Sequence, residues 1–456
     1  MTNLRDLDTI CGVATQIGES GVSIIRISGN NALKILFKLF RDKKHKSIDK
    51  IDAYHIKYGF IIDLKDENII DEVLVSFMRS PKSYTCEDVV EINCHGGIAA
   101  ADRVLKEVIK SGARLADNGE FTKRAFLNGR IDLSQAEAIQ DIVLSKTDLS
   151  MESALKQSLG SINSDIKLFR NEILSLIAHI EAAVDFPEDD IEEITGEKVL
   201  EGLDDIISRV EALIESYDFG KVVRDGIKVS IIGKPNVGKS SLLNVLLNED
   251  RAIVTNIPGT TRDSIEEYIN INGLLIKVID TAGIRDTKDA VEKIGVDVTK
   301  KKIDESDLIL LVLDSTEGMT EDDNDILSQI NLKKHIFVFN KCDLLNEPIK
   351  DEKDAVYISA KTGEGIDDLK SIIYSLFLNK DIKVNDVSIT NKRHKDVLIR
   401  VLIQLKSAVE TLSDKYSVDL VSIDLKNSWD ILGEISGETL KEDLIDEIFS
   451  KFCLGK

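Results

Sequence analysis

Proline and cysteine are scarce in this sequence, with only five of each among 456 residues. No proline lies between residues 82 and 186 or after residue 348, so long helices can form there without losing a backbone donor. The cysteine count is odd and no pair has C-x-x-C spacing, which argues against a disulfide framework or a structural zinc site. A reducing cytoplasm is therefore expected for the five residues Cys11, Cys86, Cys94, Cys342 and Cys453.

Long apolar runs and targeting signals are also lacking. No stretch approaches the ~20 apolar residues that span a bilayer. The segment MTNLRDLDTI has no basic region followed by an apolar run, which argues against a signal peptide. The final Cys-Leu-Gly-Lys formally imitates a C-a-a-X box, but its glycine and terminal lysine argue against prenylation. We expect a soluble, cytoplasmic protein.

Positively charged residues are outnumbered: the sequence has 59 Lys and Arg but 81 Asp and Glu, so the net charge is −22. Bulk charge therefore does not attract nucleic acid, and such contact would need a local basic surface. Residues 31–60 carry eight Lys and Arg against three Asp, whereas residues 181–220 carry fourteen acids against two bases. The acidic stretch lacks the ligand spacing of a calcium loop, so we interpret it as a solvated helical face.

The length predicts two to four domains, and 43% hydrophobic residues are enough for real cores. Apolar runs alternate with amphipathic helical patterns over roughly the first 118 residues, which predicts a small α+β domain. The predicted strands there are GVSIIRISG, AYHIKYGFII, EVLVSFM and DVVEINCHGG, and the predicted helices are NALKILFKLF and AADRVLKEVIKSG.

Residues 226–378 have a different pattern, in which short buried strands alternate with helices as in a parallel α/β sheet. Asn272-Gly273 between two apolar runs predicts a type I′ hairpin, so one sheet edge should be antiparallel. The flanking segments 119–225 and 379–456 are predicted to pair as one discontinuous helical domain around this insert. The first segment has an apolar helical face formed by Ile166, Phe169, Ile173, Ile177, Ile180 and Val184. The second segment has one formed by Val397, Val401, Leu405, Ala408 and Leu412.

A phosphate-binding loop begins the inserted domain: Gly233 to Ser240 is G-x-x-x-x-G-K-S between a strand and a helix. Lys239 is expected to reach the β- and γ-phosphates, and Ser240 to ligate Mg²⁺. Asp280-Thr-Ala-Gly283 follows a later strand, where an acid can hold the metal shell.

Two further motifs, Asn340-Lys-Cys-Asp343 and Ser359-Ala-Lys361, resemble the guanine-reading motifs of Ras-like GTPases and therefore imply GTP. The first switch is placed at 255–263, with Thr261 as the second ligand to Mg²⁺. The expected GTP-binding residues are Asn236, Val237, Gly238, Lys239, Ser240, Ser241, Thr255, Asn256, Ile257, Pro258, Gly259, Thr260, Thr261, Asp280, Thr281, Ala282, Gly283, Asn340, Lys341, Asp343, Ser359, Ala360 and Lys361.

Ile284 stands where Ras-type GTPases carry the glutamine that orients water, and an aliphatic chain cannot do this. Either hydrolysis is very slow or other groups supply the positioning and the missing positive charge. Arg262 and Arg285 are candidate arginine fingers, although an exposed switch arginine is more often solvated. Asn236 offers an uncharged oxygen beside the phosphates, which suits a monovalent cation.

Motifs along the whole chain resemble the tRNA-modification GTPase family called MnmE or TrmE. The resemblance rests on RISG at 26–29, HGG at 95–97, GEFTKRAFLNGR at 119–130, DLSQAEAI at 132–139, DFPEDDIEE at 185–193, KPNVGKSSLLN, IPGTTRD and the terminal FCLGK. The GTPase motifs are generic, whereas the GEF…RAFLN block and the terminal CLGK are specific.

The resemblance implies that K⁺ takes the place of an arginine finger, bound by Asn236, Thr255, Ile257 and Thr260. It also implies that Glu292 positions the catalytic water and that G domains of a homodimer meet across the cation. A tetrahydrofolate derivative (5-formyl or 5,10-methylene) is expected in the N-terminal domain as one-carbon donor. Its implied ligands are Arg26, Glu91, Arg130 and Lys456.

Cys453 is interpreted either as a nucleophile toward a pyrimidine or as a packing residue. The chain has no FAD fingerprint, so the family's flavoprotein partner, MnmG (GidA), is expected to supply FAD in a heterotetramer or larger assembly. Together they would form the carboxymethylaminomethyl group on the wobble uridine of certain tRNAs. The alternatives are a ribosome-assembly GTPase and a dimerising membrane-scaffold GTPase. The sequence shows neither a basic RNA-binding domain for the first nor a basic amphipathic helix for the second.

Overall fold

The computed structural model describes residues 8–185, 191–250, 267–279, 303–330, 333–345, 355–378, 389–413, 418–453 and 455. These residues form two compact units. The N-terminal unit comprises Met1–Gln140, Asn163–Leu168 and Trp429–Lys456, and the second unit comprises Asp141–Ile162 and Phe169–Ser428.

The N-terminal unit is built on a seven-stranded sheet in the order β3-β4-β5-β6-β2-β1-β7. All neighbours are antiparallel except β1 and β7. The strands are β1 Ile10–Val13, β2 Ser20–Ser28, β3 Phe40–Asp42, β4 Ile56–Ile62, β5 Ile69–Met78, β6 Val89–Gly96 and β7 Arg114–Leu115. The expected α+β domain is confirmed, although β1, β3 and β7 are too short to have been recognised from their patterns.

Two helices, α1 (Ala32–Leu39) and α2 (Ile98–Lys110), pack on one face of this sheet. Alternation decides which strand residues meet them, because successive side chains point to opposite faces. Ile25, Val75 and Ile92 are therefore buried with Leu36 and Val104 in one core. The other face carries Val22, Arg26, Leu74 and Glu91, among residues that remain partly or largely exposed.

Four further helices follow in the chain: α3 (Glu120–Leu127), α4 (Leu133–Leu144), α5 (Asp148–Ser158) and α6 (Ser161–Asp185). The apolar face expected on α6 is buried from Ile166 to Ile180, but Val184 is 48% exposed near the end of the helix. The next helix, α7 (Ile191–Asp225), leads directly into the α/β region.

The inserted region has a six-stranded sheet in the order β13-β12-β11-β8-β10-β9, in which only β9 is antiparallel among the described strands. The expected Ras-like α/β domain is thus confirmed. Asn272 (φ 51°) and Gly273 (φ 93°) form the tight turn between β9 and β10, as their sequence predicted. The elements are β8 Ile227–Ile232, α8 Lys239–Asp250, β9 Glu267–Ile271, β10 Leu274–Val278, β11 Leu308–Asp314, α9 Glu321–Ile330, β12 His335–Asn340, β13 Ala355–Tyr357 and α10 Ile366–Phe377.

Three helices follow the insert: α11 (Lys392–Ser413), α12 (Val418–Ser436) and α13 (Glu442–Ser450). Helix α11 packs against α7, so the helices immediately before and after the insert meet, as a discontinuous helical domain requires. The exact domain boundaries stay predictions. No helix among the described residues is both long and apolar enough to cross a membrane.

A buried ionic network joins α3 to the N-terminal sheet. Arg124, on α3, donates to the carboxylates of Asp8 (2.7 Å), Glu120 (3.0 Å) and Glu87 (3.1 Å). Arg114 donates to Asp8 and Glu120 as well. Burial raises the pKa of Asp8 and of Glu120, but hydrogen bonds from Arg114 and Arg124 outweigh it, so both pKa values lie below their ordinary range.

We predict that this network makes the N-terminal unit acid-sensitive. A carboxylate whose folded pKa is depressed stabilises the fold above its unfolded pKa, and that contribution disappears as pH falls through the folded pKa. Thermal unfolding of the wild type should therefore shift to lower temperature between about pH 5 and pH 2. At neutral pH, Arg124→Met should cost about 3 kcal/mol, because it leaves buried carboxylates with less compensation.

The matched control is Arg103→Met, on the exposed side of α2. Melting followed by calorimetry should show a change within ~0.5 kcal/mol for this exposed residue. Equal melting of the two variants at neutral pH would contradict a stabilising role for the network.

Candidate functional site

The loop between β8 and α8 is shaped by three residues with left-handed backbone: Gly233 (φ 153°), Asn236 (φ 65°) and Gly238 (φ 98°). A side chain at Gly233 would collide with the carbonyl of Val312, and one at Gly238 would collide with the side-chain amide of Asn340. Gly233 therefore allows the Val312 backbone to approach, and Gly238 allows the Asn340 side chain to approach. The loop ends at the N-terminus of α8. This is the strand–loop–helix arrangement that binds phosphate groups.

Lys239 curls back over this loop. Its Nζ donates to the carbonyl oxygens of Gly233 (2.9 Å) and Lys234 (2.6 Å). Burial lowers the pKa of Lys239, since the charged form is partly removed from water. An anionic phosphate beside the ammonium group would favour the charged form, so the site is electrostatically suited to a nucleotide polyphosphate.

Asn340, the last residue of β12, connects the phosphate loop to the loop after β13. Its Nδ2 donates to the Val237 carbonyl (2.8 Å), and its Oδ1 accepts from the Ala360 backbone (2.9 Å). Ser359 in turn donates to Asp343 Oδ1 at 2.7 Å. Three motifs that are far apart in sequence are thus brought together, as expected for a pocket that reads a base next to its phosphates.

Lys341 adopts a left-handed conformation (φ 69°) and donates through Nζ to Asp314 Oδ2 at 2.6 Å. Burial raises the pKa of Asp314, but the hydrogen bonds from Lys341 and Thr316 outweigh this and hold it below its ordinary value. Sequence reasoning missed Asp314. The available signal was an acid at the carboxyl end of a wholly apolar strand, LILLVLD.

Several expected nucleotide and metal ligands lie outside the described residues. Besides the residues located above, the structure describes Ser240 and Ser241 at the start of α8 and Lys361 on the loop after β13. The expectations for Thr255, Asn256, Ile257, Pro258, Gly259, Thr260, Thr261, Asp280, Thr281, Ala282, Gly283, Ile284 and Glu292 concern residues outside the described ranges, as do those for Arg262, Arg285 and Lys456.

A second candidate site lies on the N-terminal sheet. Arg26 on β2 is directly opposite Glu91 on β6, and its Nε donates to Glu91 Oε1 at 2.9 Å. The guanidinium carbon of Arg26 is 5.6 Å from the centre of the Tyr84 ring and 5.7 Å from that of Phe121. Arg130 stacks closer to Tyr84, at 4.6 Å.

The structure thus brings together Arg26, Glu91 and Arg130, which the family resemblance had singled out separately. It adds Tyr84 and Phe121, which sequence reasoning missed. Phe121 was within the noted GEF block, whereas Tyr84 had no distinguishing signal. Two cations, one carboxylate and two rings can bind a flat heterocycle that bears carboxylate groups.

The C-terminal segment reaches the neighbourhood of this second site. Gly12 pairs with Arg26 in the sheet, and a side chain at Gly12 would lie 3.8 Å from the Cα of Gly455 and 3.4 Å from the Phe121 ring. Gly455 has φ 87°, and a side chain there would collide with the Val13 carbonyl. Gly455 of the terminal motif is therefore packed against β1, the strand next to Arg26.

Cys453 is exposed, and its carbonyl accepts from the Gly119 backbone at 3.3 Å. By contrast, burial raises the pKa of Cys11 to about 12 and that of Cys94 to about 11, so neither is a thiolate at neutral pH. Phe452, not Cys453, is the residue that packs into the cluster of α3, α4 and α13. The side chain of Cys453 thus has no packing role in that cluster, and its chemical role stays a prediction.

We predict that Asp343→Asn changes the base preference from guanine to xanthine. The carboxylate can accept from two N–H groups of guanine, whereas an amide can donate to the second oxygen of xanthine. Losing two charge-assisted hydrogen bonds should weaken GTP binding about 100-fold or more and permit xanthosine triphosphate to bind. Fluorescent-nucleotide titration measures both, with Asp367→Asn on an exposed turn of α10 as control. Unchanged GTP affinity in the Asp343 variant would refute base reading by this residue.

Comparison with known proteins identifies the family of the chain. Residues 9–130 match the family described as GTP-binding protein TrmE N-terminus, and residues 133–453 match the MnmE helical domain. The chain is 50% identical to the tRNA modification GTPase MnmE of Thermoanaerobacter pseudethanolicus, over 98% of this chain and 99% of that protein. It is 49% identical to the MnmE of Acetivibrio thermocellus over the same shares.

Among solved structures, a variant of Aquifex aeolicus Era bound to GDP·AlF4⁻ is 30% identical over 39% of this chain and 66% of that one, with a TM-score of 0.27. The match extends over nearly the full length of both the chain and the MnmE proteins. This chain belongs to the MnmE family of tRNA modification GTPases.

Proposed function

We propose that this protein is a K⁺-activated GTPase that acts with a flavoprotein partner to modify the wobble uridine of certain tRNAs. The modification is formation of the 5-carboxymethylaminomethyl group, with a tetrahydrofolate derivative as one-carbon donor. The observation that carries the proposal is the position of Arg26, which pairs with Glu91 and lies over the rings of Tyr84 and Phe121. Arg130 lies over the same Tyr84 ring, and Gly455 of the terminal motif packs against the neighbouring strand. The same chain also has the loops of a guanine-nucleotide site.

At the nucleotide site, Lys239 would hold the β- and γ-phosphates and Asp343 would hold the guanine edge. Ser240 and Thr261 would be the protein ligands to Mg²⁺, which neutralises phosphate charge when it is bound. The described part of the site fits this chemistry, because Ser240 lies in the first turn of α8 next to the phosphate loop. Asn340 keeps the two halves of the pocket together.

We further propose that K⁺ takes the place of an arginine finger. Asn236 has an amide oxygen on the tightly curved phosphate loop, where its left-handed backbone is held by the fold. Neutral oxygens suit a monovalent cation, and Thr255, Ile257 and Thr260 would complete the set. Because Ile284 cannot hydrogen-bond water, Glu292 would position the attacking water instead.

In the N-terminal unit, Arg26, Arg130 and Lys456 would bind the carboxylates of the folate, and Glu91 would accept from the guanidine-like edge of its pterin. The rings of Tyr84 and Phe121 offer stacking surfaces beside them. The homodimer implied by the family resemblance would form through the N-terminal domain.

The chain lacks a dinucleotide fingerprint for FAD, so the redox step would be performed by the flavoprotein MnmG in a heterotetramer or larger complex. All five cysteines are free thiols, which fits a reducing cytoplasm. Cys453 is the exposed thiol among them and is the candidate nucleophile toward the pyrimidine.

The first test is folate binding. Arg26→Ala should weaken binding of 5-formyltetrahydrofolate about 10- to 100-fold, since it removes a charge-assisted contact to a folate carboxylate. Isothermal titration calorimetry of the purified full chain measures this. Arg103→Ala removes the same charge from the exposed side of α2 and should leave the affinity unchanged. Equal affinities in the two variants, or no binding by the wild type, would refute the folate site.

The second test concerns the cation. Asn236→Gly removes the side-chain oxygen and retains the left-handed backbone, so it should abolish the stimulation of GTP hydrolysis by K⁺ over Na⁺. The control is Asn244→Ala on the exposed side of α8, where alanine removes the same amide and glycine would weaken the helix. A K⁺-to-Na⁺ activity ratio in Asn236→Gly that equals the wild-type ratio would contradict the cation site.

A further inference from the structure

Positive charge is concentrated at one edge of the N-terminal sheet, in a protein whose net charge is −22. Strand β3 is the edge strand, and the four residues after it, Lys43 to Lys46, are here termed the basic turn. Lys43, Lys44 and Lys46 are exposed and form no salt bridge with any residue that the structure describes. Three ammonium groups within four residues thus face solvent together.

The basic turn has a defined backbone. The Asp42 carboxylate accepts hydrogen bonds from the backbone N–H groups of Lys44 (2.8 Å) and Lys46 (2.9 Å). These hydrogen bonds, of which the one from Lys46 has the larger effect, hold the pKa of Asp42 below its ordinary value. The Asp42 carboxylate is therefore charged, and backbone N–H groups already occupy it as hydrogen-bond donors. The nearby Glu67 is paired with Arg41. The lysine side chains therefore remain available to an external anion.

Aromatic rings adjoin these charges. The His45 ring stacks on Phe60 of β4, with centroids 4.8 Å apart and planes 16° apart. Tyr58 meets Phe60 edge-on at 5.7 Å and is 43% exposed. Ammonium groups that can follow a phosphate backbone, next to rings that can stack on bases, are the combination used to bind unpaired nucleic acid.

We propose that the basic turn, together with the ring cluster of His45, Tyr58 and Phe60, is a docking surface for RNA. The lysines contact phosphates and the rings stack on unpaired bases, such as those of a tRNA loop. The proposal rests on the proposed function, because it assigns the tRNA to one surface of this chain. An anionic membrane is a poorer fit, since membrane-surface binding typically uses a basic amphipathic helix and here the lysines occupy a turn at a sheet edge.

The test compares two triple variants of the full chain that lose the same charge. The first is Lys43→Ala/Lys44→Ala/Lys46→Ala. The control is Lys65→Ala/Lys106→Ala/Lys426→Ala, which removes three lysines outside the basic turn. Binding to unmodified tRNA is measured by filter retention between 50 and 200 mM salt, and GTP hydrolysis and thermal unfolding show that both variants are folded. Vesicles containing phosphatidylglycerol are titrated in parallel.

We expect the first variant to bind tRNA roughly tenfold or more weakly, with a salt slope smaller by about 2 to 3, because up to three phosphate contacts are lost. The control should retain the wild-type affinity and slope, and GTP hydrolysis should be unchanged in both.

Equal tRNA binding by the two variants would overturn the proposal. It would also be overturned if the first variant lost binding to vesicles but kept its binding to tRNA. Absence of tRNA binding by the wild-type chain would overturn it too. The proposed function is judged separately, by whether the chain and its flavoprotein partner form the modified uridine.

Discussion

Close contact between the two ends of the chain is the constraint on which the architecture depends. Gly455 lies against Val13 and Gly12, and the backbone of Gly119 donates to the carbonyl of Cys453. Both Gly119 (φ 67°) and Gly455 (φ 87°) have left-handed backbone in places where a side chain would collide with neighbouring atoms. Because the last helix must return to the first sheet, the α/β region enters the chain as an insert between helices.

The two candidate sites are assembled by different means. In the α/β insert, one side chain, Asn340, ties the phosphate loop to the base-side loop with two hydrogen bonds. In the N-terminal unit, sheet register places Arg26 opposite Glu91, and Tyr84 and Phe121 flank the arginine from outside the strands. Arg124 and its carboxylate partners anchor α3, the helix that carries Phe121. The stability of that helix and the composition of the site are therefore linked.

Much of this could be predicted from the sequence, because the signals were local. Gly233 to Ser240 predicts a phosphate loop, and Asn272-Gly273 predicts its hairpin, since each conformation depends on the residues themselves. Other features gave no local signal. Tyr84 resembles any loop tyrosine, and Asp314 stands out only once Lys341 is seen to donate to it. Val184 fits the apolar periodicity of α6 but is exposed near the helix end, where packing no longer covers it.

The sequence by itself determined the order of the domains, the nucleotide loops and the family, because periodicity, glycine placement and motif spacing are encoded in neighbouring residues. Only the tertiary structure decided that Arg26 and Arg130 share the Tyr84 ring, that Glu91 pairs with Arg26, and that Gly455 packs against the same sheet. It also decided that the lysines after β3 lie at an open sheet edge beside stacked rings. Such proximities depend on strand register and on chain closure over hundreds of residues, which no short-range pattern specifies.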